Sequence, residues 1–139
     1  MKLHDLTEGL SPILYHITSL RGINDILSTN KFRLSASFAN DSEQSVGSTK
    51  QFFLSATRSK IGGYTMRNMG NQSVVLVLDG RAIGQNYSGG PVQYWSHDFI
   101  QRNNQYDEME DRIYADQPYI PNATKYITEM HVLINDLSV

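Results

Sequence analysis

The sequence contains no cysteine, and this absence excludes a disulfide framework, thiolate catalysis and a cysteine-ligated zinc site together. It is compatible with a reducing compartment. No apolar run approaches the ~20 residues that span a bilayer. The segment from Met1 to Leu10 is interrupted by Lys2, His4, Asp5 and Glu8, so neither a signal peptide nor a membrane anchor is expected. Charge of one sign is also missing: 12 Lys and Arg against 14 Asp and Glu leave a formal net charge of −2. A field that weak would not steer duplex nucleic acid to the protein. The chain has no internal repeat and no low-complexity segment. No Gly-x-Gly-x-x-Gly follows a strand-like run, so a Rossmann-type grip on a dinucleotide is not implied.

The remaining composition is that of an ordinary globular chain, 40% hydrophobic and 19% charged over 139 residues, the size of one domain. A domain of this length buries roughly two-thirds of the surface its unfolded chain exposes and needs no staple. The expectation is a single soluble domain, 1–139, in the cytoplasm.

Ile13-Leu14-Tyr15-His16-Ile17-Thr18 is rich in β-branched and aromatic residues and predicts a strand. Its alternation offers Ile13, Tyr15 and Ile17 as the core face and turns Leu14, His16 and Thr18 to the other. Ser19 suits a helix N-cap, and Leu20, Ile23, Ile26 and Leu27 recur at helical spacing up to Asn30. Lys31 to Leu34 predicts a short strand, and Ser35 to Lys50 a long polar loop anchored by Phe38 and Val46. Further strands are expected at Gln51–Thr57 and Ser73–Leu78, the second buried on both faces. Others are expected at Tyr106–Tyr114 and from Ile127 or Thr128 to Ile134. Asp79-Gly80 ends the fourth of these runs, Gln85 to Gln105 is expected to be mostly irregular, and Asn122 is placed to cap a short helix through Tyr126. Strands outnumber helices and do not alternate with them, which predicts an α+β fold.

Three features carry candidate chemistry. Asp107, Glu108, Glu110 and Asp111 form an acidic group, and on a strand Glu108 and Glu110 share a face. Ser55, Thr57 and Ser59 alternate onto one face as a hydroxyl stripe able to orient a ligand or a carboxylate. His16 is a polar group within an otherwise apolar strand. Each also has a plain structural explanation: a charged strand edge that resists edge-to-edge pairing, the wetter face of a half-exposed strand, and a hydrogen-bonded histidine.

Taken in order, a Tyr-His-x-Thr strand, a helix, a Phe/Leu-Ser-x-Thr strand and a Glu-x-Glu strand resemble the ADP-ribosyltransferase superfamily. The resemblance runs from about Ile13 to Ile134. It implies two small, mainly antiparallel sheets around a cleft that binds NAD, with few short helices. Of its three cleft-lining positions, His16 would fill the first, as in the diphtheria-toxin-like class. Ser55, Thr57 and Ser59 would supply the second, and Glu110, preceded by Glu108, the third. The opening segment is also similar to phage and toxin–antitoxin members that modify nucleic acid or host proteins.

The resemblance implies a glycosyl transfer from NAD to a macromolecular acceptor, protein or nucleic acid, with release of nicotinamide. His16 would hydrogen-bond the adenosine-side ribose, and the backbone of Ile17 or Thr18 would meet the nicotinamide amide. Ser55 and Thr57 would orient the glutamate and the nicotinamide-side ribose, with Tyr64 stacking on nicotinamide. Arg58 or Arg33 would meet the pyrophosphate, where a planar bidentate donor suits phosphate oxygens. Glu110 would stabilise the developing ribosyl cation, and Glu108 would activate the acceptor. No metal is expected in this scheme.

Two other readings stand beside it. An ADP-ribosyltransferase-like scaffold without catalysis would act as a binding or inhibitor protein, using the aromatic loop of Tyr87, Tyr94, Trp95 and Phe99. A metal-dependent nuclease would use Asp107, Glu108 and Glu110, with Asp79, as oxygen ligands.

Overall fold

The computed structural model describes residues 9–37, 51–60, 73–92 and 110–132. Strand β1 (Ile13–Thr18) leads directly into helix α1 (Leu20–Thr29), as the spacing of its apolar residues requires. The Ser19 hydroxyl accepts the Gly22 amide at 2.9 Å and closes the first turn. Asn30 ends the helix at φ 56°, in the left-handed region that asparagine tolerates, with its amide on the Ile26 carbonyl at 2.7 Å. Its side-chain oxygen then accepts both the amide and the hydroxyl of Thr124, at 2.8 and 2.9 Å. One residue thus stops the helix and ties it to a later segment.

Short strands β2 (Lys31–Arg33) and β3 (Ser35–Ser37) follow, and β4 (Gln51–Thr57) and β5 (Val74–Asp79) have nearly the bounds expected of them. Asp79 leaves β5 as the N-cap of α2 (Gly80–Gly84), its carboxylate accepting the Ala82 amide at 3.0 Å. Then come β6 (Ser88–Pro91), β7 (Glu110–Ala115), β8 (Tyr119–Pro121), a 3-10 turn (Ala123–Tyr126) and β9 (Ile127–Val132). Asn122 precedes that turn at φ 59° without a side-chain capping bond, so it contributes its backbone conformation rather than its amide.

The protein is α+β, and every pairing between described strands is antiparallel. Six strands run in the order β6-β7-β4-β1-β5-β9, β3 adds to β4, and β2 pairs with β8 as a separate ribbon. The described strands therefore form two antiparallel sheets of unequal size, a ribbon of two strands and a continuous ladder of seven. Its continuity is narrow at one place. β1 and β5 are in register along six residue pairs, from Ile13–Asp79 to Thr18–Val74, but β1 meets β4 in register at Tyr15–Thr57 alone. β3 occupies the same edge of β4 farther along, at Gln51 to Phe53. Leu54 to Ala56 lie between the two partners, and there β1 and β4 part.

The core lies on one side of this sheet. Leu14, Leu76 and Leu78 pack with Ile23 and Ile26 of α1, Phe32 and Ile120 of the ribbon, and Tyr126. This corrects the expected orientation of β1. Leu14 is fully buried and Ile13 is 51% exposed, so Leu14, His16 and Thr18 form the core-side face. Both faces of β1 carry apolar residues, and alternation alone does not say which one a helix covers. α1 settles it by laying Ile23 and Ile26 against the Leu14 side, which leaves Leu20 and Leu27 exposed.

Two strands arise where loop was expected. β6 contains Gly89-Gly90-Pro91, and β3 begins the Ser-rich stretch. A Cβ on Gly89 would sit 2.2 Å from the Arg112 carbonyl oxygen, so glycine here permits close strand pairing rather than a turn.

Candidate functional site

Register and alternation bring three of the expected positions onto neighbouring strands, in the order β7-β4-β1. Along β4, Leu54 and Ala56 point into the core, so Phe53, Ser55 and Thr57 share the opposite face. Along β7, Asp111, Ile113 and Ala115 are buried, so Glu110, Arg112 and Tyr114 share that same outer face. The β4–β7 register sets Thr57 against Glu110, Ser55 against Arg112 and Phe53 against Tyr114.

Glu110 is fixed by its neighbours on this face. The Ser55 hydroxyl donates to Glu110 Oε2 at 2.8 Å, and Arg112 Nε donates to the same oxygen at 3.1 Å. Only about a fifth of each side chain in the Arg112–Glu110 pair is exposed, 19% and 20%. The Arg112 guanidinium carbon in turn lies 4.0 Å from the centre of the Phe53 ring.

His16 occupies the place where β1 and β4 part. Its Nδ1 lies 2.7 Å from the Ser55 carbonyl oxygen. A carbonyl only accepts, so Nδ1 carries the hydrogen and donates. The ring replaces the ladder hydrogen bond that a continued β1 would have given to β4. Its other side meets Phe32 edge-on, with ring centres 6.3 Å apart. Burial holds the imidazole below its ordinary pKa of 6.5, and the bond to Ser55 opposes that shift with less effect. At neutral pH the ring is therefore uncharged, with Nε2 as an acceptor.

Ser55 thus touches both other positions, the carboxylate through its hydroxyl on the outer face and the histidine, whose ring lies on the core side of β1, through its backbone carbonyl. Thr57 is buried, and its hydroxyl oxygen accepts the Ser59 amide at 3.1 Å, shaping the turn that leaves β4. Ile17 and Thr18 pair with Val75 and Val74 of β5, beyond the point where β4 is in register with β1.

The two expected phosphate ligands are engaged elsewhere. Arg58 sends Nε and Nη2 to the carboxylate of Asp111, the shortest contact being 2.8 Å, and its backbone amide donates to the same group at 3.1 Å. Asp111 is completely buried, and Arg58, with about a third of its side chain exposed, reaches in from the surface to pair with it. Arg33 pairs with Asp25 at 2.8 Å on an exposed surface, and the guanidinium beside Asp25 holds that carboxyl below its usual range. Each guanidinium thus engages a carboxylate through its Nε and Nη2 groups.

Glu108, Tyr64, Asp107, Tyr94, Trp95 and Phe99 lie outside the described residues. Asp79 is used as a helix cap, and among the described residues no three His, Asp or Glu side chains gather as a metal donor set. Arg112 and Phe53 were not singled out from sequence. The available signal was the two-residue spacing from Glu110 to Arg112, which puts both on one strand face.

The chain matches no protein-family model, no curated protein and no solved structure.

Proposed function

We propose that the protein is an NAD-dependent ADP-ribosyltransferase that moves ADP-ribose from NAD to a macromolecular acceptor and releases nicotinamide. One observation carries this reading: Ser55 joins Glu110 and His16 across three adjacent strands, at 2.8 and 2.7 Å. The resemblance in sequence assigns the same residues to the three positions that line an NAD cleft. β1 and β4 are in register at a single pair beside His16, and the proposed cleft is assigned to this break in pairing.

In this chemistry the bond between ribose C1′ and the nicotinamide nitrogen breaks. Its electron pair leaves with nicotinamide and neutralises the pyridinium, while positive charge builds on the ribose as in glycoside hydrolysis. A carboxylate held beside that ring stabilises the cation without reorganising, which is where most of the rate gain from such a group arises. The acceptor then bonds to C1′ and gives up a proton. Glu110 is the electrostatic group, Ser55 orients it, and neutral His16 offers Nε2 to a ribose hydroxyl. Thr57 shapes the floor of the site, the backbone of Ile17 and Thr18 is the proposed contact for the nicotinamide amide, and Glu108 and Tyr64 keep the roles that the resemblance implies.

The test is nicotinamide release from NAD, followed chromatographically for the native chain and Glu110→Gln with candidate protein and nucleic-acid acceptors present. The expected result is release by the native chain and a loss of about 10²–10³-fold in the variant, the usual cost of removing one preorganised electrostatic group. Equal rates in a folded variant would remove Glu110 from the mechanism.

A second reading, a scaffold of this kind that binds a macromolecule without catalysis, is favoured by the engagement of Arg58 with Asp111 and of Arg33 with Asp25. It predicts tight association with a macromolecule and no NAD binding.

A further inference from the structure

We propose that Arg112 is the positioning residue for Glu110, a role that rests on the reaction just proposed. Glu χ3 is a broad, roughly two-fold torsion, so a lone glutamate on a strand presents its carboxylate over a wide range of angles. Two donors on one oxygen remove that freedom. Ser55 reaches Oε2 from β4 at 2.8 Å, and Arg112 reaches it along β7 at 3.1 Å.

Arg112 is itself immobilised. Its guanidinium lies over the Phe53 ring at 4.0 Å, a stacking that a planar cation makes and an ammonium does not reproduce. Exposed ion pairs are loose and contribute little, but here about four-fifths of each side chain is out of water, with 19% and 20% exposed. The chain Phe53–Arg112–Glu110–Ser55 therefore closes on itself across two strands, in a register where Arg112 stands opposite Ser55 and Phe53 lies two pairs farther along, on the same face. Its consequence is geometric. A carboxylate already aimed at the place where charge develops lowers the barrier rather than improving substrate affinity.

The test compares Arg112→Gln, Arg112→Lys and Phe53→Leu with the native chain, each also in the Glu110→Gln background. Unfolding midpoints establish that the variants fold. Arg112→Gln is expected to lower kcat for nicotinamide release by about 10–100-fold, the scale of a misplaced group, with KM little changed. Arg112→Lys is expected to recover only part of that loss. Phe53→Leu, which keeps the guanidinium and removes its platform, is expected to show the same kcat-selective loss should Arg112→Gln fail to fold. In the Glu110→Gln background none of the three should cost anything further, because Arg112 acts through Glu110.

Additive losses in that background would overturn the proposal. So would a rise in KM at constant kcat, which would make Arg112 a substrate contact. A second readout needs no turnover: in nitrogen-15 NMR the Arg112 Nε–H should be protected from exchange in the native chain and lose that protection in Glu110→Gln. If the native chain releases no nicotinamide, the proposed function fails on its own, and the NMR result still decides whether Arg112 holds Glu110. An unprotected Nε–H in the native chain would sink the positioning role in either case.

Discussion

Asp111 is a carboxylate with no exposure, placed between two residues of the outer face by the two-residue period of β7. Burying a charge is costly unless it is paired and hydrogen-bonded, and Arg58 meets both conditions with its guanidinium and its backbone amide. Because Asp111 is covalently next to Glu110, this pair also holds the strand that carries the proposed reactive group. Arg58→Ala should therefore destabilise the fold by about 3 kcal/mol, the lower end of what breaking a buried pair costs, since part of the arginine still meets water. Urea denaturation of the variant checks this, and Arg58→Lys should recover little because an ammonium cannot bind two oxygens side by side. His16 gives a prediction of opposite chemical origin. Its folded pKa lies below 6.5 because burial disfavours the imidazolium. The unfolded chain then binds the proton more readily, so this contribution to stability is complete above pH 6.5 and is lost as pH falls from there through the folded value. His16→Asn keeps a donor for the Ser55 carbonyl and removes the titration. Denaturation midpoints at pH 7.5 and 5.5 should fall less in the variant than in the native chain.

At the scale of elements, the parts legible in the sequence are those whose period is set by one buried side. α1 announced itself through Ser19, Ile23 and Ile26, and Ser19→Ala should cost about 1 kcal/mol by leaving the Gly22 amide without its acceptor, measurable by thermal unfolding. β4 and β5 were equally plain, from the run at Phe52–Leu54 and the apolar block at Val74–Leu78. β6 was not, because its Gly-Gly-Pro run reads as a turn until its partner is known. The Arg112 carbonyl comes too near for any side chain at Gly89. Gly89→Ala should consequently detach β6 from β7 and loosen the strand bearing Glu110, seen as faster amide exchange at Arg112 and Tyr114, which pair with Gly90 and Ser88 of β6. The face of β1 was also misassigned, since a strand apolar on both sides gives no signal of which side a helix will cover. The Ser55–Glu110 contact was legible as a motif, whereas the His16–Ser55 bond was not, because it depends on β1 and β4 diverging after a single registered pair.

Considered together, the described residues form an antiparallel α+β arrangement whose main hydrophobic cluster lies on one face of the larger sheet, and the proposed site lies where the central ladder narrows. No described helix is long and apolar enough to cross a membrane. If NAD binds the folded chain and not the unfolded one, mass action requires that it stabilise the fold, by about 2.7 kcal/mol at a hundredfold excess over Kd. Calorimetric titration of the native chain with NAD, alongside His16→Ala and Arg33→Ala, tests the central claim most directly because it needs no acceptor. One saturable site and a raised unfolding midpoint are expected, with affinity weakened by His16→Ala and unchanged by Arg33→Ala. No heat of binding and no shift in the midpoint at millimolar NAD would contradict that claim.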